Sequence, residues 1–137
     1  MLIRQIMSSP AVTISSASTV QHAASTLRSR GFTALPVLDD DGRLIGIVTE
    51  ADLLDGRVEP DERRWRAETI RHRHRGATVA DVMTSPVESL TPGADVADAA
   101  EIMLDERIRC LPVVDGRTVV GVITRRDLLG AIEDGGR

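Results

Sequence analysis

The chain has 137 residues, 17 basic and 21 acidic side chains, a formal charge of −4 and 42% hydrophobic residues, which suits one compact domain or two very small ones and excludes a disordered chain. Phe32 and Trp65 are the only aromatic residues, and there is no tyrosine, lysine or asparagine; such a chain lacks the stacking faces of a single-strand nucleic-acid platform and the positive charge of a DNA binder. The lone Cys110 excludes an intramolecular disulfide, and neither a signal peptide nor a membrane span is legible, so a cytoplasmic, reducing setting is expected.

In chain order, Val12 and Ile14 belong to a short extended leading segment. Ser18 and Gln21 predict a capping box. Val20, Ala23, Ala24 and Leu27 follow the i, i+3, i+4, i+7 spacing of a one-sided helix, and its two small alanines would let it lie close to a sheet. Leu35 to Leu38 is a short apolar run, Asp39-Asp40-Asp41-Gly42 a turn, and Leu44 to Val48 a returning strand, apolar enough for burial on both faces. A helix begins at Thr49. Pro60 marks the first turn of a linker helix through Trp65 and Ile70. The order then starts again: a leading segment with Val87 and Leu90, a helix with Asp95 and Asp98 in its first turn and Val96, Ala99, Ala100 and Met103 on one face, a strand over Leu111 to Val114, a hairpin turn at Asp115-Gly116, a strand over Val119 to Ile123 and a helix from Thr124.

The restart is an internal repeat. Met7-Ser8-Ser9-Pro10 recurs as Met83-Thr84-Ser85-Pro86, and Leu35-Pro36-Val37 as Leu111-Pro112-Val113, at an offset of 76. After the Asp-rich turn the offset is 75, relating Gly46, Thr49, Asp52, Leu53 and Leu54 to Gly121, Thr124, Asp127, Leu128 and Leu129. Each copy reads as β-α-β-β-α, an α/β (α+β) unit too small to be stable alone, so two copies sharing a core are expected.

The ordered set Met-x-x-Pro, Ala-Ala on a helix, Leu-Pro-Val and Gly-x-x-Thr-x-x-Asp-Leu-Leu, present twice, resembles the cystathionine-β-synthase (CBS) domain, and the tandem resembles a Bateman module. The resemblance implies CBS repeats at residues 1–56 and 77–134, packed with pseudo-twofold symmetry, joined by an arginine-rich linker at 57–76. It further implies a stand-alone regulatory module with no obligatory cofactor, binding AMP, ADP, ATP or S-adenosylmethionine in a cleft between the repeats. A homodimer and an unidentified protein target are also expected. The alternative is a dimerising scaffold that binds a protein without a small-molecule ligand.

Thr49-Glu50-Ala51-Asp52 and Thr124-Arg125-Arg126-Asp127 have the spacing of a helix N-cap, which is the plain structural reading. A carboxylate can also hold the vicinal hydroxyls of a ribose, and the threonine hydroxyl with the helix start can meet a phosphate. The resemblance implies that Asp52 and Asp127 take ribose hydroxyls. It places Ile47 and Val122 against adenine, with Val12 and Val87 as further candidates, although apolar core is the simpler reading. Thr33-Ala34 and Arg109-Cys110 precede Leu-Pro, where proline predicts a strand start or edge, and by resemblance they touch base or phosphate. Arg109 is the candidate phosphate partner; Thr33, its counterpart, lacks the charge. Ser18 is a candidate ligand contact whose counterpart is Ala94. Two unequal sites are therefore expected, the better one built on Thr124 and Asp127 with Ser18 and Arg109.

Arg57 to Arg75 carries a net charge of +3, leaving −7 elsewhere. A solvated helix is the simple reading, and an arginine lid or partner surface the alternative. Nucleic-acid binding there is not expected. His72 and His74 are two apart, so they do not share a helix face and no metal site is expected. Nor is catalysis: Cys110 has no base partner at a telling spacing, and no phosphate loop is present.

Overall fold

A computed structural model describes residues 1–55, 77–106 and 108–134. Its elements are α1 (Ile3–Ile6), β1 (Ile14–Ser15), α2 (Val20–Arg30), β2 (Ala34–Leu38), β3 (Leu44–Thr49), α3 (Glu50–Asp55), α4 (Val79–Val82), α5 (Val96–Asp105), β4 (Cys110–Asp115), β5 (Thr118–Thr124) and α6 (Arg125–Glu133). The helix expected around Pro60, Trp65 and Ile70 lies outside the described residues. Two compact units result: unit 1 gathers Met1–Val12, Gly42–Leu44 and the chain from Val87 onward, and unit 2 gathers Thr13–Asp41 and Ile45–Pro86. Each unit thus takes the Met-x-x-Pro segment of the other repeat.

Unit 2 holds a three-stranded sheet in the order β1-β2-β3, with β1 parallel to β2 through Ile14↔Val37 and Ser15↔Leu38. Thr84 extends it on β3: the Ile47 N–H donates to the Thr84 carbonyl at 3.0 Å and the Thr84 N–H returns at 2.8 Å. Helix α2 buries Val20, Ala23 and Leu27 and ends at Gly31, whose φ of 67° is open to glycine at no steric cost. The expected cap at Ser18 is corrected. Thr19 is the N-cap, accepting from the His22 N–H at 3.0 Å. The Ser18 backbone is already committed, its N–H to Ser15 and its carbonyl to Val79, so the helix's free amides begin one residue later. Of the two alanines only Ala23 is buried. Ala24 instead lines an apolar groove of about 420 Å³ with Leu27, Phe32, Leu53 and Leu54.

Unit 1 is organised alike. β4 and β5 pair antiparallel from Cys110↔Thr124 to Asp115↔Thr118, with a register shift at Val113/Val114, and Gly116 turns the hairpin at φ 63°. Leu90 pairs parallel to Val113, and Ser8 antiparallel to Val122. The core comprises Ile3, Ala99, Met103, Leu111, Val113 and Ile123, so a residue at the start of the chain completes the core of the second repeat. Asp95 caps α5, accepting from the Ala97 N–H at 2.8 Å. Although Val119 to Ile123 is apolar almost throughout, β5 is not buried on both faces. Gly121 and Ile123 are buried and alternate with half-buried Val120, Val122 and Thr124, the pattern of a strand with one face on a core.

Pro112 is neither at an edge nor at a strand start; it is the third residue of β4 and fully buried. The reason lies in the ladder. Val122 spends its N–H and carbonyl on Ser8, so the Pro112↔Val122 pair exchanges no hydrogen bond. On its other side the Pro112 carbonyl accepts from Leu90, where the parallel pairing begins, so no donor is required of the proline nitrogen. Pro36 is likewise third in β2.

Candidate functional site

In unit 1 the turn from β5 into α6 brings three polar side chains together. Thr124 and Asp127 form a reciprocal capping box. The Thr124 N–H donates to Asp127 Oδ2 at 2.9 Å, the Thr124 hydroxyl donates to the same oxygen at 3.1 Å, and the Asp127 N–H donates to Thr124 Oγ1 at 3.2 Å. The third member is Ser8, whose hydroxyl donates to Asp127 Oδ1 at 3.1 Å and Oδ2 at 3.3 Å across a sequence separation of 119. Unit 2 repeats the arrangement. The Thr49 N–H donates to Asp52 Oδ2 at 2.9 Å and the Asp52 N–H to Thr49 Oγ1 at 3.1 Å. There the Thr84 hydroxyl donates to Asp52 Oδ1 at 3.1 Å and Oδ2 at 3.3 Å. Both aspartates and both threonines are half-buried.

Glycine makes this approach possible. A Cβ on Gly121 would stand 2.7 Å from Met7 Sδ and 2.9 Å from the Ser8 carbonyl, and one on Gly46 2.8 Å from both Met83 Sδ and the Thr84 carbonyl. The segments are pinned further by Ser9, donating to the Val120 carbonyl at 3.0 Å, and Ser85, donating to the Ile45 carbonyl at 2.8 Å. Both are followed by cis prolines, Pro10 and Pro86.

Unit 1 also contains Val12, Val87 and Val122, all half-buried, with Arg109 exposed and Cys110 buried. The Cys110↔Thr124 register sets Arg109 at the sheet end from which α6 departs. The Cys110 thiol is pushed up to about 12, first by burial and then by the Asp127 carboxylate. Unit 2 contains Ser18 and Ala34, half-buried, Thr33, exposed, and Ile47, buried. The Thr33 carbonyl accepts from the Glu50 N–H at 3.0 Å and so serves the start of α3. Ser18, expected to assist Thr124 and Asp127, belongs to unit 2. Ser8 and Thr84 were not among the expected site residues. Their signal was present: a hydroxyl stands second in both copies of the Met-x-x-Pro segment.

No group of three or more His, Cys, Asp or Glu side chains suited to a metal occurs among the described residues, and among them no helix is long and apolar enough to cross a membrane.

The CBS domain model matches residues 3–59 and 79–134, and the chain belongs to the CBS domain family as a tandem pair. A CBS domain-containing protein of Dictyostelium discoideum is 33% identical over 132 residues, covering 93% of this chain and 88% of that protein. An uncharacterised protein of Methanocaldococcus jannaschii is 31% identical over 134 residues, but this chain spans 32% of its length. Among solved structures, the CBS-pair protein CBSX2 of Arabidopsis thaliana superposes with a TM-score of 0.85 at 26% identity, covering 99% of this chain and 96% of that one; CBSX2 has also been solved in complex with AMP. A CBS domain pair in complex with 5′-methylthioadenosine and S-adenosyl-L-methionine superposes with a TM-score of 0.76 at 27% identity, covering 100% of this chain and 98% of that one.

Proposed function

We propose that the chain is a regulatory module that binds an adenosine-containing ligand, AMP, ADP, ATP or S-adenosylmethionine, with Asp127 and Asp52 receiving ribose hydroxyls. One observation carries the reading. In both units an aspartate is oriented by its own capping box while accepting a hydroxyl hydrogen bond from another part of the chain, the interaction a ribose would make. The AMP and S-adenosylmethionine complexes of similar CBS pairs support the ligand class. Half-buried Val122 and the more deeply buried Ile47 are the aliphatic candidates for the base, and Arg109 offers a cation to phosphate in a chain without lysine. The ligand is a signal, not a substrate. A protonated, buried Cys110 supplies no nucleophile near neutral pH.

A signal acts only through a partner that prefers one state of the module. Exposed Leu104, Leu129 and Ile132 on α5 and α6 support pairing with a second copy, and we place the protein in the cytoplasm.

Calorimetric titration with the four ligands tests the reading. At least one should bind, and Asp127→Ala should weaken it by roughly tenfold or more, as loss of hydrogen bonds to a charged group does. Asp52→Ala should weaken it less, since the second repeat carries Arg109 where the first has Thr33. Absence of binding by all four at millimolar concentration would leave the scaffold alternative.

A further inference from the structure

The hydrogen bonds at Asp127 raise a question of capacity. A carboxylate oxygen accepts about two good hydrogen bonds. Oδ2 already receives the Thr124 N–H and the Thr124 hydroxyl, and Oδ1 receives Ser8. With Ser8 in place one acceptor position remains, whereas a vicinal diol donates two. The capping bonds belong to α6 and hold the helix start. Ser8 is different: its backbone is fastened independently, its N–H donating to the Val122 carbonyl at 2.9 Å and its carbonyl accepting from the Val122 N–H at 3.0 Å. Its side chain is exposed, so rotation about χ1 removes the hydroxyl without loosening the strand pairing.

We propose that the Ser8 hydroxyl is an internal competitor for the ribose, occupying the Asp127 acceptor that a second ligand hydroxyl needs. Ser8 is thereby a specificity-determining residue that sets the penalty for a two-hydroxyl sugar relative to a one-hydroxyl sugar. The inference rests on the ribose reading of Asp127.

The test is calorimetric titration of the full chain and its Ser8→Ala and Ser8→Thr variants with AMP and with 2′-deoxy-AMP, which donates a single ribose hydroxyl. Ser8→Ala should bind AMP roughly fivefold more tightly, within the net range of one ordinary hydrogen bond, and 2′-deoxy-AMP within about twofold of the parent. Ser8→Thr, which restores the hydroxyl as unit 2 carries it, should return the AMP affinity to the parent value. An unchanged AMP to 2′-deoxy-AMP ratio in Ser8→Ala, or equal weakening of both ligands, overturns the competition while leaving the ribose site standing. If AMP binds neither the parent nor Ser8→Ala, the ribose reading falls and the competition with it.

Discussion

At the residue scale, Cys110 and the missing lysine and tyrosine act together. The thiol is held at about 12 in the folded chain against an ordinary value near 9. Between those values the unfolded chain releases the proton and the folded chain keeps it, so raising the pH favours unfolding. Stability from this source is fully present below pH ~9 and declines above it by up to ~1.4 kcal/mol per pH unit. Lysine and tyrosine usually blur that window, and this sequence has neither, while arginine stays protonated. Chemical denaturation from pH 8.5 to 10.5 should therefore show a slope that Cys110→Ala removes. A slope retained by that variant would assign it elsewhere.

At the element scale, the decisive contact is between a segment without regular structure and a strand. Residues Met7 to Ser9 lie along β5, and Gly121 is the residue that lets them. In Gly121→Ala the added methyl meets the Ser8 backbone, which cannot rotate aside as Met7 can, so the pairing must open. The expected loss is ~1–3 kcal/mol in urea unfolding, accompanied by loss of the Ser8 hydrogen bond to Asp127. An unchanged midpoint would mean the segment contributes nothing to unit 1. The strands and principal helices were legible in the sequence because their apolar spacing is local, and Thr49, Asp52, Thr124 and Asp127 because capping is a local code. For Ser8 and Thr84 the repeat marks a hydroxyl but not what it meets, because their partners lie 119 and 32 residues away. The prolines misled for a related reason: a missing donor restricts a strand only where the neighbouring chain presents an acceptor.

At the scale of the whole molecule, the repeat seen in sequence and the unit seen in space are different divisions of the chain. Residues 1–12 belong to repeat one in sequence but supply Ile3 to the core of unit 1, and the Met83-Thr84-Ser85-Pro86 segment of repeat two serves unit 2. A fragment cut at the end of the first repeat, 1–56, keeps a segment that has lost its sheet and lacks the one its own sheet needs. A fragment spanning 13–86 keeps unit 2 entire. The second should unfold cooperatively on heating and the first should not, as followed by far-ultraviolet circular dichroism; the opposite result would show that the exchange is dispensable.

The exchange also determines how the molecule bears tension. Met1 and Asp134, at the two ends of the described chain, both belong to unit 1. A force applied between them would shear Ser8 from Val122 and draw Ile3 from its core before any load reached β1, β2 or β3. Unit 2, although it lies between these ends in sequence, is mechanically shielded by a clasp of about a dozen residues.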